Sequence, residues 1–445
     1  MADLMNVLFI MTDQQRADSI GPARHACANY PVMEHLAGES VTFSQFYTAA
    51  TPCVPSRHSF LTGRHPWMLR CFANMRFSMG DGTTWMSFLR DQGYVCVSVG
   101  KTHLIHAGSY HIQVPAARSF GDQGGWDFFR PEETPESDEA YFDIHATRRA
   151  CEALQRLKKA QPFAMFLGFH APHEPYVMPR RYLDFLRPED VPLPQARRAD
   201  EYRTKSAAYR ARVDRLARVI GPMTDDAIRR GIAGHHCLLK MVDDCLEQLF
   251  DTLRRLDLLD NTLIIFSSDH GDLLGDHGIF GKAATFYESE VHIPMMIRFP
   301  DGRYTGKRVP HLASSLDFVP TLLDILDVHP DVSFPGLSLV PMIEQGQPLR
   351  HVVTCATHRA MMVRTETDKL WYDYQDRDGE MYDLAQDPLE LDNLYQSTKA
   401  SEMRQQLFEL MLHIRMESDA VDAMPTRREV RLHREAWSSY EPEVV

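Results

Sequence analysis

Between Thr51 and Arg64 the chain reads Thr-Pro-Cys-Val-Pro-Ser-Arg-His-Ser-Phe-Leu-Thr-Gly-Arg. Pro52 and Pro55 disfavour helix before Cys53 and no further breaker follows until Gly63, which predicts a helix that opens at Cys53. The first turn of a helix favours an anion through its unpaired N–H groups and its dipole, and Arg57, about one turn on, adds a guanidinium that can bind two oxygens at once. A sulfur nucleophile and an anion cradle therefore share one turn. Taken alone, a cysteine between two turn prolines reads as a buried thiol.

Other titratable residues gather where apolar runs end. Asn6 to Thr12 ends at Asp13, Gln14 and Gln15; Val95 to Val99 ends at Gly100, Lys101, Thr102 and His103. Phe163 to Phe169 ends at His170 with His173 beyond it, and Leu263 to Ser268 ends at Asp269, His270, Gly271 and Asp272. Runs of this kind are strands covered on both faces, and open parallel sheets bind ligands at the carboxyl ends of such strands.

The elements between them read as helices: Thr83 to Gln92, Phe142 to Lys159, and Asp225 to Leu256, where Ile228, Ile232, Leu239, Val242, Leu246, Leu249 and Leu253 form one apolar stripe. Ala171 to Pro194 is a proline-rich extended loop, and Gln195 to Val219, rich in Arg and Ala, is a solvated helical excursion over the site entrance. Leu312 to Leu326 is expected as an amphipathic helix. Beyond residue 350 short β-prone pieces, Ala360 to Arg364 and Leu370 to Tyr374, precede a helix from Thr398 to Met416, which predicts a small antiparallel unit. Thr426 to Val445 is a polar tail, mobile or an arm onto a neighbouring subunit in a homo-oligomer. Trp67, Trp126 and Phe128 are read as core or as a pocket wall.

At 445 residues the chain can bury a large core, and its net charge of −13 argues against nucleic acid or an anionic membrane as partner. A small anionic substrate then requires a local basic pocket. The N-terminus enters a strand-length run without a basic n-region or cleavage site, and no stretch reaches transmembrane length. The eight cysteines are scattered without CxxC pairs, which suits a reducing compartment. A cytoplasmic location is the expectation.

The run Cys53, any residue, Pro55, Ser56, Arg57, followed by Leu61-Thr62-Gly63-Arg64, resembles the signature of type I sulfatases, the formylglycine-dependent members of the alkaline phosphatase superfamily. The resemblance covers nearly the whole chain in order. Asp13 and Gln14 match the family's first metal pair, Lys101 and His103 its Gly-Lys-X-His motif, and His173 its Pro-His-X-Pro loop. Asp269 and His270 match the second metal pair, Lys282 the lysine of Gly-Asp-His-Gly-X-X-Gly-Lys, and Met381 to Leu394 the C-terminal pattern. The implied fold is α/β: a large mixed, mostly parallel sheet flanked by helices over 1–350, a small C-terminal antiparallel α+β subdomain over 351–425, and a tail over 426–445.

By that resemblance Cys53 is oxidised to formylglycine by a formylglycine-generating enzyme, and its hydrate attacks the sulfur of a small sulfate ester in line. The alcohol leaves, and deprotonating the second hydroxyl re-forms the aldehyde and expels sulfate by C–O cleavage. Asp13, Gln14, Asp269 and His270 are implied to hold one divalent cation. Many sulfatases have aspartate where Gln14 stands and often asparagine where His270 stands, so this set has one negative charge fewer and one nitrogen more, and Ca²⁺ and Mn²⁺ are both candidates. Lys101, Lys282 and Arg57 are implied to neutralise sulfate oxygens, His103 to accept the hydroxyl proton, and His173 to bind sulfate or protonate the leaving oxygen.

Three other readings stay open. Phosphonate monoester hydrolases resemble this chain in the Asp, Gln, Asp, His set, although Lys101 and His103 favour sulfate. A thiol enzyme would use Cys53 with a histidine base, and a binding protein would keep the fold without activity. Mass spectrometry of the peptide spanning position 53 separates the sulfatase and phosphonate hydrolase readings from the thiol enzyme: the formylglycine reading expects a lighter residue that ignores thiol reagents, whereas an alkylatable cysteine in active protein means a thiol enzyme.

Overall fold

The structure, a computed structural model, describes residues 4–20, 29–74, 83–102, 112–114, 138, 141–159, 162–221 and 223–423. Its first sheet has eight strands: β1 Asn6–Asp13, β2 Val41–Tyr47, β3 Val95–Gly100, β4 Ile112–Val114, β5 Phe163–Pro172, β6 Thr262–Ser268, β7 Met295–Arg298 and β8 Arg308–Ser314. They lie in the order β4-β3-β5-β1-β6-β7-β2-β8, and all run parallel except β7, which opposes both its neighbours. The four apolar runs of the sequence are thus four adjacent central strands, β3, β5, β1 and β6.

β1 is buried at every position because both faces of the sheet are covered. Leu8 and Ile10 face the layer formed by the helices Phe142–Leu157 and Asp225–Arg255. Val7, Phe9 and Met11, pointing the other way at the strand's period of two, face the helices Cys53–Thr62, Trp85–Asp91 and Phe318–Ile325. Phe9 lies 4.4 Å from Phe318, 5.1 Å from Phe166 and 5.8 Å from Phe60 between ring centres, so Phe60 anchors the helix that starts at Cys53 beneath β1.

One stretch differs from expectation. Leu312 to Leu326 is not a single helix: Leu312, Ala313 and Ser314 pair with Gln45, Phe46 and Tyr47 of β2, and the helix begins only after a turn in which Ser314 N–H donates to Asp317 at 2.8 Å. Pairing along an otherwise open strand satisfies backbone groups that a helix would have had to satisfy internally.

The second sheet is an antiparallel meander of β9 Val353–Ala356, β10 Ala360–Arg364, β11 Asp368–Asp373 and β12 Asp378–Asp383, in the order β12-β11-β10-β9. The helix Ser401–Ala423 lies on it through Leu407, which joins Val363, Leu370 and Met381. Trp67 donates its indole N–H to Ser418 of this helix at 2.9 Å, so it packs between the units; Trp126, Phe128 and the tail after 423 lie outside the described residues. The seven described cysteines are free and buried, and among the described residues no helix is long and apolar enough to cross a membrane.

A buried polar seam joins the two sheets. Lys369, fully buried on β11, sits 2.9 Å from Glu288 and 2.8 Å from Glu390, and Glu288 also accepts the Tyr47 hydroxyl at 2.7 Å. Nearby, Lys205 donates to the Tyr382 hydroxyl at 2.8 Å, and Glu380 accepts from Tyr287 at 2.7 Å and from the Ser206 N–H at 2.8 Å. Removing one member of such a set leaves its partners charged and dry. Lys369→Met is expected to cost about 3–5 kcal/mol in urea unfolding, while Lys158→Met, from the exposed pair with Asp257, leaves the midpoint nearly unchanged; equal effects would contradict this account of the seam.

Candidate active site

The tips of β3, β5, β1 and β6 stand side by side at roughly 4.8 Å intervals. Each delivers one of the residues singled out above: Lys101, His173, Asp13 and Asp269. The helix Cys53–Thr62, buried along its whole length, meets these tips at its first residue.

Asp13 Oδ2 accepts from Arg57 Nη2 at 2.9 Å and lies 2.8 Å from Lys101 Nζ, which leaves Oδ1 facing Cys53 Sγ at 3.6 Å. Asp269 Oδ2 accepts from Arg57 Nε at 2.9 Å, and its Oδ1 accepts the backbone N–H groups of Gln14 at 3.0 Å and His270 at 2.9 Å. His270 Nδ1 is 2.8 Å from the Gly271 carbonyl, an acceptor only, so Nδ1 donates there and Nε2 is the ring nitrogen that faces Cys53 Sγ, 3.3 Å away. Ligand atoms of Asp13, Cys53, Asp269 and His270 all lie within 4.8 Å of one another, and all four residues are buried. Two carboxylates, one inward imidazole nitrogen and the side chain of residue 53 fit a single divalent cation.

Arg57 has partners other than those expected. Its guanidinium, fully buried, spans Asp13 and Asp269 and also donates to the carbonyls of Lys101 and Thr12. It organises the two carboxylates instead of facing an open anion site. Gly168 makes room for this arrangement, since a Cβ there would stand 1.9 Å from the Lys101 carbonyl oxygen and 3.1 Å from Arg57 Nη1.

Gln14 is held from both ends. Its Nε2 donates to Glu174 and Asp272, and its Oε1, the expected ligand atom, accepts from Lys282 Nζ at 2.9 Å. Lys282 Nζ is also 2.8 Å from His173 Nε2, while His173 Nδ1 bonds the Glu174 carbonyl. Lys282 and His173 thus meet beside Gln14, while Lys101 lies against Asp13; His103 lies outside the described residues. Sequence reasoning assigned no role to Glu174 or Asp272, although both stand within two residues of motif histidines. It also missed Ser56, whose hydroxyl donates to the Asp269 carbonyl at 2.5 Å, and Asp143, which accepts the N–H groups of His170 at 2.6 Å and Ala171 at 2.9 Å and so shapes the turn before His173. Asp143 lies in a helix and gave no local signal.

The electrostatics follow from burial and charge together. Burial alone would raise Asp13, yet Lys101, His173, Arg57 and Lys282 hold it well below the usual carboxylate range. Burial and Asp13 oppose ionisation of Cys53, but Lys282, Lys101 and His270 outweigh them and draw its thiol well below the ordinary value. Burial and the neighbouring Asp13 push Asp269 up to about 6, and Asp269 and Cys53 overcome burial to raise His270 to about 9. The centre is a cluster of acidic groups wrapped in cations.

A mostly parallel sheet that gathers carboxylates, an imidazole and cations at its strand ends around a helix-borne cysteine agrees with the expectation of an ester hydrolase of the alkaline phosphatase superfamily type. The family model described as Sulfatase matches residues 5–328, and one described as N-sulphoglucosamine sulphohydrolase, C-terminal, matches residues 275–417. The chain is 29% identical over 436 residues to the choline-sulfatase of Rhizobium meliloti (strain 1021), covering 88% of this chain and 83% of that one, and 26% identical over 451 residues to an arylsulfatase of Clostridium perfringens, covering 89% and 91%. Its fold is that of the phosphonate monoester hydrolase of Silicibacter pomeroyi, with a TM-score of 0.81 at 23% identity over 93% of this chain and 96% of that one. The chain belongs to the sulfatase family, and it is an enzyme, a hydrolase of sulfuric esters.

Because one lysine amine cannot span two carboxylates as a guanidinium does, Arg57→Lys is expected to lower kcat/KM on the order of 100-fold or more while the circular dichroism spectrum is retained. Activity within threefold of the parent would contradict the organising role given to Arg57.

Proposed function

We propose that the chain releases inorganic sulfate from a small sulfate ester, with a formylglycine derived from Cys53 supplying the nucleophile and one divalent cation, Ca²⁺ or Mn²⁺, held by Asp13, Asp269, His270 and Gln14. The observation that carries this reading is the single volume shared by residue 53 and the ligand atoms of Asp13, Asp269 and His270. A cation bound there supplies Lewis-acid stabilisation of oxygen charge. The chain's own residues supply the rest. Lys101 and Lys282 bring two ammonium groups to the volume a sulfate group enters. His173 and Lys282, 2.8 Å apart, hold a proton between them that can pass to a leaving alkoxide, and the Glu174 carbonyl fixes the His173 ring for that transfer. Arg57 keeps both carboxylates ionised and in register. On this reading the protein matures through a formylglycine-generating enzyme, resides in the cytoplasm and acts on a soluble ester.

A second reading, hydrolysis of phosphonate or phosphate esters with the same nucleophile, is favoured by the Gln14 and His270 pair and by the close fold match to a phosphonate monoester hydrolase. Turnover of an aryl sulfate and an aryl phosphonate by one metal-loaded preparation decides between them. The sulfate reading expects kcat/KM for the sulfate to exceed that for the phosphonate by about tenfold or more, a difference of roughly 1.4 kcal/mol in transition-state binding; the reverse order overturns it.

A further inference from the structure

Before any oxidation, residue 53 is a thiol, and its surroundings then have a character different from the oxygen-rich site proposed above. Cys53 Sγ lies 3.3 Å from His270 Nε2 and 3.6 Å from Asp13 Oδ1, and His270 Nε2 lies 3.8 Å from Asp269 Oδ1. In a tetrahedral zinc site with Zn–S near 2.3 Å and Zn–N or Zn–O near 2.0–2.2 Å, ligand atoms stand about 3.4–3.6 Å apart. The sulfur–nitrogen and sulfur–oxygen spacings here are close to those of a zinc coordination shell, and the ligand atoms of all four residues lie within 4.8 Å of one another.

The supporting contacts are also those of a built metal site. The Gly271 carbonyl takes the Nδ1–H of His270 and so holds Nε2 toward the sulfur. Asp13 spends Oδ2 on Arg57 and Lys101 and keeps Oδ1 toward the sulfur. Such outer contacts orient ligands and raise affinity. Among the described residues no other cysteine joins a group of three or more potential ligands.

We propose that the unoxidised chain binds a thiophilic cation of the zinc class through Cys53 Sγ, His270 Nε2, Asp13 Oδ1 and an Asp269 oxygen, and that exchanging the sulfur for oxygen turns the same ligand set toward oxygen-preferring cations. Sulfur is the one soft donor in the set, and soft thiolate ligands select zinc over manganese or calcium. The inference concerns only the unoxidised chain, so it stands or falls independently of the formylglycine reading.

The test uses full-length protein produced without formylglycine-generating activity, its intact Cys53 verified by peptide mass, and Co²⁺ as the spectroscopic substitute for zinc. An equimolar addition is expected to give a near-ultraviolet sulfur-to-cobalt charge-transfer band and the intense visible bands of four-coordinate cobalt, both abolished by Zn²⁺. Cys53→Ser is expected to lose the near-ultraviolet band with an unchanged circular dichroism spectrum, and its preference for Zn²⁺ over Mn²⁺ falls about tenfold or more. Absence of the band in the parent, or its persistence in Cys53→Ser, overturns the proposal. A second readout needs no variant: Zn²⁺ should protect Cys53 from alkylation and a chelator should restore it, and equal alkylation with and without Zn²⁺ would likewise overturn the proposal.

Discussion

The buried contact of Arg57 with Asp13 and Asp269 is the constraint on which the rest of the site depends. Two carboxylates at neighbouring strand ends, both sealed from water, would repel each other and resist ionising. A guanidinium placed between them removes that conflict, and it comes from the helix whose first residue is Cys53. Positions 53 and 57 are four apart and so share one helical face. The interaction that pairs the carboxylates therefore also sets residue 53 at its 3.6 Å distance from Asp13. Phe60, on the same helix, fixes its depth against Phe9 of β1.

The small sheet is tied to this centre through hydrogen bonds. Glu288 and Glu290 lie in the short helix Glu288–Val291: Glu288 meets Lys369 of β11, and the Glu290 carbonyl accepts the Gly271 N–H at 2.8 Å. The Gly271 carbonyl in turn takes the Nδ1–H of His270 and fixes the orientation of its ring. Gly271 has to be glycine at this crossing, since a Cβ would stand 2.0 Å from the Ser289 carbonyl oxygen. The ion pairs of the seam and the imidazole of the site thus share one short segment of chain, which gives the C-terminal unit a part in holding the ligand geometry.

Much of this was legible in the sequence, for a physical reason. Central parallel strands buried on both faces are unbroken apolar runs, so β1, β3, β5 and β6 and the polar residues at their tips could be read directly. So could the helix opening at Cys53, from its prolines and Gly63. β2 and β8 carry polar residues along their length, as Thr42, Ser44, Gln45 and His311 show, and β7 is four residues long, so none of them offers a run to recognise. The C-terminal part of β8 was therefore merged with the helix that follows. Charge was legible but its partner was not: nothing local to Arg57 says that it faces two aspartates rather than a ligand. The amide orientation of Gln14 depends on Glu174 and Asp272, 160 and 258 residues away, a relation only the fold creates.

The central claim is that residue 53 and one cation occupy the same small volume at the tips of β1 and β6. Anomalous diffraction from a crystal of the protein soaked in Mn²⁺ tests it most directly. A single strong peak within about 2.6 Å of oxygen or nitrogen atoms of Asp13, Asp269 and His270, with the side chain of residue 53 in its coordination shell, is the result this account predicts. A peak elsewhere, or one at these ligands from which residue 53 is turned away, would contradict it.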